Sequence, residues 1–430
     1  MAWDTPFWGN EFVSTARRLK YGWFGIALNT ITGEITRRGD GEFMPVSSSE
    51  GSKYIGDWAS KVLEQLCPVV LTDDGVEYKE ISKLDVTRHT DDTNVDRTGG
   101  NGQIMVRLPV HFYRCAVIGI YYILDFSDQA LDGFTISPAT PTGVPAYIGM
   151  YEASRVPSTM KLSSISTDPR DSASPVWPIT TRGTDEWGVA SGGSAAYFQT
   201  LATARGTGWT CVKTWWWIMH YLIHVAAYGT LNTDFSVGTG RTTLSGGTWV
   251  RDSDASNTGY IARCGLSNPL RGESVSVNTG FLTSVSRMLF VENQFGNIWK
   301  AIPDCLIDAQ IPSAVRMMIK QSPPYSEVSL TGYIALKDFA GHDVLLPSSS
   351  GYQGVPNSGL ALFLSSISNG NSSSWSGDYS YITTGIGLRG LLVGGGAADG
   401  ASAGGVHRYS YHAPSISSTS IGSRLGFQAA

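Results

Sequence analysis

The chain has 430 residues, room for two or three domains, and charged residues make up 16% of it, against roughly 25% in an ordinary soluble domain. A formal net charge of −5 gives no basic footprint and argues against a nucleic-acid partner. With 50 glycines, abundant Ser and Thr and 11% aromatic residues, the composition fits short strands and long ordered loops better than helix bundles. The five cysteines, Cys67, Cys115, Cys211, Cys264 and Cys305, are single and far apart, so neither a disulfide framework nor a metal-ligand spacing is expected. The N-terminal stretch lacks a basic region followed by an apolar one, so no signal peptide is expected. No run of about 18 apolar residues is present, so no membrane insertion is expected.

In chain order, "EGSKYIGDWASKVLEQL" (50–66) predicts an amphipathic helix, opened by the "SSSE" cluster and closed ahead of Pro68. The Asp- and Thr-rich stretch 85–103 ends in Gly-Gly-Asn-Gly and reads as an exposed connector. A boundary there divides the chain into an N-terminal module, 1–100, and a larger domain, 101–430. Residues 104–126 read as two strands, the second of which, "CAVIGIYYILDF" (115–126), is expected to be buried. "PAYIGMYEASR" (145–155) predicts a further strand. Residues 212–230 have helical length, few breakers and apolar residues nearly all round, which predicts a buried helix. From residue 231 onward, Gly, Ser, Thr and Asn separate brief strand-like runs, among them 286–309, with no fixed repeat. The fold class expected is α+β, with short strands, few helices and long ordered loops.

Chemistry-bearing motifs are sparse. His220 and His224 stand one helical turn apart, a spacing metals use, but Tyr221 occupies the place where a metalloprotease motif needs Glu, so two hydrogen-bonded core histidines are expected. "GYQGVPNSG" and "GTGRTTLSGG" lack the G-K-[ST] of a phosphate loop, and no GxSxG elbow occurs. "TDDTNVD" (90–96) lacks the glycine and terminal Glu of a calcium-binding loop and reads as solvated linker. Neither catalytic residues nor a metal or cofactor is expected.

Several phrases, in order, resemble a known family. "ENQFGNIWKAIPDCLIDA" (292–309) is similar to the signature region of C-type-lectin folds of the formylglycine-generating-enzyme type. Residues 204–232 resemble the helix and loop that precede it in phage members, and "VRLPVHFYR" and "YIGMYEASR" resemble earlier strands. "GDYSYITTGIGLRGLLVGGGAADGASAGG" and "IGSRLGF" look like the C-terminal variable region of proteins diversified by retroelements. The resemblance covers roughly residues 100–430. It departs from the sulfatase-activating enzymes, which need a C-terminal cysteine pair, since no cysteine follows Cys305. Where phage relatives often carry Glu and Gln, this chain has Ala226 or Ala227 and Asp234, and the calcium-binding triplets of sugar-binding lectins are absent.

The resemblance implies a variable region at about 376–427. Miscopied template adenines scatter Asn codons over codons ending in C or T, which cannot encode Lys, Glu, Gln, Trp or Met. Those five residue types make up roughly an eighth of the chain, yet none lies between Ser376 and Phe427. The variable, ligand-binding positions expected are Gly396, Ala398, Asp399, Ser402, His407, Tyr409, Tyr411, His412, Ser415 and Ser417, with Tyr409 and Tyr411 on one face of an extended segment. Arg389, Gly394, Gly395, Gly404 and Arg424 are expected as scaffold, the glycines for tight backbone and the arginines to tie loops. By the same resemblance the chain is expected to be a phage or prophage receptor-binding protein on a virion tail fibre or surface. Its partners would be a host cell-surface protein or glycan, other virion proteins and two further copies of itself in a homotrimer. The alternatives are a structural virion decoration protein with a lectin-like fold, and a copper-dependent oxidase with paired thiols.

Overall fold

The apolar run at 115–126 does not make one buried strand. At Gly119 φ is +61°, open space lies where a Cβ would sit, and the chain reverses there. Phe112–Ile118 and Tyr121–Ser127 result, paired antiparallel, so with Gln103–Leu108 the region 103–127 holds three strands rather than two. Only the second arm of the hairpin is buried; Val117, Ile118, Ile120 and Tyr121 are exposed at its tip.

The structure, a computed structural model, describes residues 21–43, 61–83, 85–156, 160–182, 193–242, 248–251, 259–262, 264–265, 285–338, 341–354, 370–382 and 385–429. Among these, strands predominate and four α-helices occur: α1 (Lys61–Gln65), α2 (Ala195–Thr203), α3 (Thr214–Tyr228) and α4 (Thr233–Val237). This is an α+β fold. The helix expected at 50–66 lies in part outside the described residues; its last turn is α1.

A first sheet runs in the order Ile35–Gly39, Trp23–Asn29, Tyr121–Ser127, Phe112–Ile118, Thr135–Ile136. A second runs Trp209–Cys211, Leu425–Gln428, Ala146–Gly149, Gln103–Leu108, Cys67–Leu71, Glu77–Glu80. The boundary expected near residue 100 falls inside both. Trp23–Asn29 pairs with Tyr121–Ser127, and Cys67–Leu71 pairs with Gln103–Leu108, with Val69 opposite Met105. Without those neighbours each early strand would expose a row of unpaired backbone groups, so the described part of 21–100 shares its sheets with strands beyond residue 100. The supposed connector is folded too: Asp85, Asp91 and Asp96 each accept from the N–H of a Thr two residues on, and Val86, His89 and Val95 are buried. Three Asx-turns in succession explain the Asp/Thr composition that looked like linker.

Helix α3 is buried at nearly every position and packs on strands of the first sheet and on Trp299–Asp308. Both histidines are hydrogen-bonded core residues, as expected: His220 Nε2 lies 3.2 Å from the Leu289 carbonyl and His224 Nε2 2.8 Å from Ser236 Oγ. The residue before α3, Lys213, offers no side-chain cap; the cap comes instead from Asp304, whose carboxylate accepts from Thr214 N (3.0 Å) and Oγ1 (2.8 Å). Asp304 reaches that helix end because the strand Trp299–Asp308 bulges: Ala301 faces Leu392 while Leu306 faces Gly390, leaving 302–305 outside the ladder with Leu388–Val393, where Pro303 needs no partner for a missing N–H.

The third sheet holds the central strand Trp299–Asp308, with Arg316–Ile319 and Ile334–Ala335 on one side. On the other lie Leu388–Val393, Arg408–Ser410, Tyr379–Ile382 and Gly351–Tyr352; Ile421–Gly422 also pairs with the central strand, in parallel.

Candidate ligand face

The least regular sequence of the chain, 394–422, is built into this third sheet. Arg408–Ser410 lies between Leu388–Val393, antiparallel to it, and Tyr379–Ile382, parallel to it. Loops flank the strand on both sides, and the chain then returns to the second sheet through Leu425–Gln428, where Phe427 packs on Trp209 with ring centroids 5.0 Å apart. Glycine- and serine-rich loops can hold one conformation here because packed strands bracket them.

The expected scaffold residues have physical reasons to be what they are. At Gly394 φ is +83°, and a Cβ would sit 2.6 Å from the Gln294 carbonyl oxygen. Gly395 is similar, with φ +70° and a Cβ 2.7 Å from that of Ala403. At Gly404 a Cβ would overlap the Asp378 carboxylate. Arg424 is fully buried and donates to four carbonyls on two other segments: those of Gly149 (2.9 Å), Met150 (3.1 Å), Glu292 (2.6 Å) and Asn293 (3.1 Å). Arg389 differs from expectation. Its guanidinium donates to the carbonyls of Leu388, Gly385 and Ile386, so it stiffens its own turn rather than tying distant loops together.

Of the ten expected ligand positions, Ala398, Tyr411, Ser415 and Ser417 are exposed, and Asp399, Ser402, Tyr409 and His412 are half-buried. Gly396 and His407 are buried, and His407 corrects the expectation most sharply, being 0% exposed. Its ring stands edge-on to Trp299 at 4.6 Å, under Gly395, and the Ser402 carbonyl faces it without meeting hydrogen-bond geometry. Burial pushes its pKa down to about 3, so it is a neutral core ring. The expected pairing of Tyr409 with Tyr411 does occur, ring edge to ring face at 6.1 Å.

Beneath the face, the Asp378 carboxylate accepts from the Val406 N–H at 2.7 Å and so fixes the turn that leads into Arg408–Ser410. Its pKa is driven well above the usual range, by burial first and then by the neighbouring Asp234. Asp234, in the first turn of α4, is itself raised to about 7 by burial, and its Oδ1 has no hydrogen-bond partner among the described residues. Near the surface, Asp399 accepts from the Gly396 N–H at 2.6 Å, and burial raises its carboxyl.

Sequence reasoning missed three of the five tyrosines on this surface, Tyr352, Tyr379 and Tyr381. Tyr352 pairs with Tyr379, Tyr381 pairs with Tyr409, and Leu392 pairs with Tyr409 from the other side. Paired residues share a face, and so do residues two apart on one strand, so Tyr352, Tyr379, Tyr381 and Tyr409 all point the same way. Ser380, Ile382, Arg408 and Ser410, on the opposite face, are buried. A signal was present: "YSY" occurs at 379–381 and again at 409–411, and each copy supplies rings to this one face.

No family model matches the chain, and no curated protein matches it.

Proposed function

We propose that the protein is a receptor-binding protein of a phage or prophage, with a C-type-lectin-like fold that presents a diversified C-terminal surface to host-surface ligands. The observation that carries this reading is the division within 394–424. Positions that would tolerate any side chain, such as Ala398, Tyr411, Ser415 and Ser417, are exposed, while Gly394, Gly395, Gly404 and Arg424 are locked by close approach or by four carbonyls. A stiff frame under freely chosen side chains is what a repeatedly rewritten binding surface requires. The lectin-like assignment draws further support from the signature segment 292–309, which supplies the central strand of the third sheet against helix α3. An oxidase using paired thiols has little support: none of the five cysteines is in a disulfide, and burial pushes Cys67, Cys115 and Cys211 up to about 12. As a virion component the chain would act as a homotrimer held among other virion proteins.

The test is deep sequencing of codons 376–427 in a population carrying the gene, with codons 280–330 as control. Substitutions are expected at the exposed and half-exposed positions, above all 398, 411, 415 and 417, with Gly394, Gly404 and Arg424 constant. An invariant segment would favour instead a structural decoration protein with fixed loops.

A further inference from the structure

The tyrosine-bearing face of the third sheet has a chemistry of its own. Rings follow one another across three adjacent strands: Tyr352 to Tyr379 at 5.1 Å, Tyr379 to Tyr381 at 4.6 Å, Tyr381 to Tyr409 at 5.2 Å and Tyr409 to Tyr411 at 6.1 Å. All five are half-buried or exposed. The hydroxyls of Tyr379, Tyr381 and Tyr411 have no hydrogen-bond partner among the described residues, whereas Tyr409 meets His412 Nε2 at 3.0 Å and Tyr352 meets Ser402 Oγ at 3.3 Å. Beside Tyr409 and His412 the face drops into a small cleft walled by Ala196, Glu327, Pro414 and Ile421.

Charge narrows what can lie there. Asp399 acts electrostatically on both Tyr381 and Tyr409, and Glu327 lines the cleft, one carboxylate oxygen accepting from the Ala196 N–H. Among the described residues no Lys or Arg lies over any of the five rings; the nearby Arg389 is occupied with its own turn. A polyanion would meet the Asp399 and Glu327 carboxylates with only Arg389, beside His412 and held in its own turn, to offset them. A quaternary ammonium needs rings enclosing a point, and these rings touch one another in a row and enclose nothing. The face suits a ligand with weakly polar C–H faces to lie on the ring faces and with many hydroxyls to bond the free phenols, the two carboxylates and the serines of the 415–420 loop.

We infer that this tyrosine face binds an uncharged polysaccharide, its sugar residues laid along Tyr352, Tyr379, Tyr381, Tyr409 and Tyr411, and that it does so without calcium. The inference rests on the reading of this surface as the ligand face of a receptor-binding protein, and it names the class of ligand. Tyr352 lies outside the variable segment, so one end of the platform is constant and sets the ligand class, while the rewritten positions tune which sugar and linkage are preferred.

Affinity electrophoresis of the full chain through gels containing dextran, mannan or galactan tests this, with dextran sulfate as the charged control and with EDTA throughout. Retardation by a neutral polymer is expected. Tyr381→Ala and Tyr411→Ala should each weaken it 10- to 100-fold, as loss of one stacked ring does in other stacking platforms. Tyr409→Phe should keep most of the binding. Tyr411 is 53% exposed, so its variant separates lost stacking from lost folding. Retardation by dextran sulfate alone, by no polymer, or unchanged in both alanine variants overturns the inference. Labelled chain applied to host cells separates this outcome from failure of the underlying reading. Binding that survives periodate oxidation of the surface sugars but is lost to protease leaves a receptor-binding protein with a protein ligand. Absence of binding to any cell removes both.

Discussion

At the scale of single residues, neighbours in sequence carry opposite burdens. Ala398 projects into solvent, whereas Gly404, six residues on, has the Asp378 carboxylate where its Cβ would be. Gly404→Ala is therefore expected to cost roughly 1–3 kcal/mol of stability, the usual cost of overpacking, while Ala398→Ser, Ala398→Tyr and Ala398→Asp stay within about 0.5 kcal/mol of the parent. Urea unfolding of the four variants checks it; equal losses at both positions would mean that the frame and the display are not separable. The acid pair below gives a pH signature. Asp234 titrates at about 7 in the fold against an ordinary 3.8, because burial disfavours its charge. Its pKa is raised on folding, so its contribution to stability is fully present below about pH 4 and is lost as the pH climbs through 7. Asp378 shifts in the same direction, from burial and then from Asp234. Asp234→Asn should leave stability near pH 4 unchanged and raise it by roughly 4 kcal/mol at pH 8, flattening the fall between about pH 4 and pH 7. Parallel pH profiles for parent and variant would show that Asp234 is solvated in the folded chain.

At the scale of elements, what the sequence disclosed and what it hid depend on the range of the interactions. Helix α3 was legible because 15 residues without a breaker, apolar on every side, can only be a buried helix. Its N-terminal cap was not, since Asp304 lies 90 residues away and reaches Thr214 only through a bulge. The hairpin 112–127 was misread because an uninterrupted apolar run hides a reversal at one glycine whose flanks, Ile118 and Ile120, are not turn-forming residues. The region 85–98 was misread for the converse reason: polar composition suggested linker, yet the Asp-x-Thr spacing is the signature of three successive turns. Within the candidate face, glycine and arginine roles were largely legible from local pattern, but the burial of His407 was not. In "HRYSYH" it alternates with Tyr409 and Tyr411, and it is Trp299, Tyr381 and Gly395, brought from other segments, that cover its ring. Tyr352, Tyr379 and Tyr381 were missed because their alignment with Tyr409 depends on a parallel pairing of Tyr381 with a residue 28 positions further on, which no local signal announces.

At the scale of the whole molecule, a shallow face of a few rings binds weakly, and useful avidity needs several copies acting together. The first sheet carries a surface suited to holding them. Thr30 donates to the Ile120 carbonyl through both its N–H (2.8 Å) and its hydroxyl (2.9 Å), which stitches the turn after Trp23–Asn29 to the hairpin tip. The two turns together present Ile31, Val117, Ile118, Ile120 and Tyr121, with Ile31 70% and Ile118 63% exposed. Aliphatic side chains gathered this way mark an interface, since a lone protomer gains nothing by wetting them. The proposed trimer would use this tip as its apolar contact between copies. The double substitution Ile118→Ser with Ile120→Ser should then lower the mass seen by sedimentation equilibrium from three protomers to one. The monomer's own unfolding free energy should move by no more than about 0.5 kcal/mol, because neither side chain is buried within it. Cell binding should fall at least 100-fold in the same variant although every tyrosine of the face is intact, because only the multiplicity has been removed. A double variant that still sediments as a trimer would show that the copies are held by some other surface.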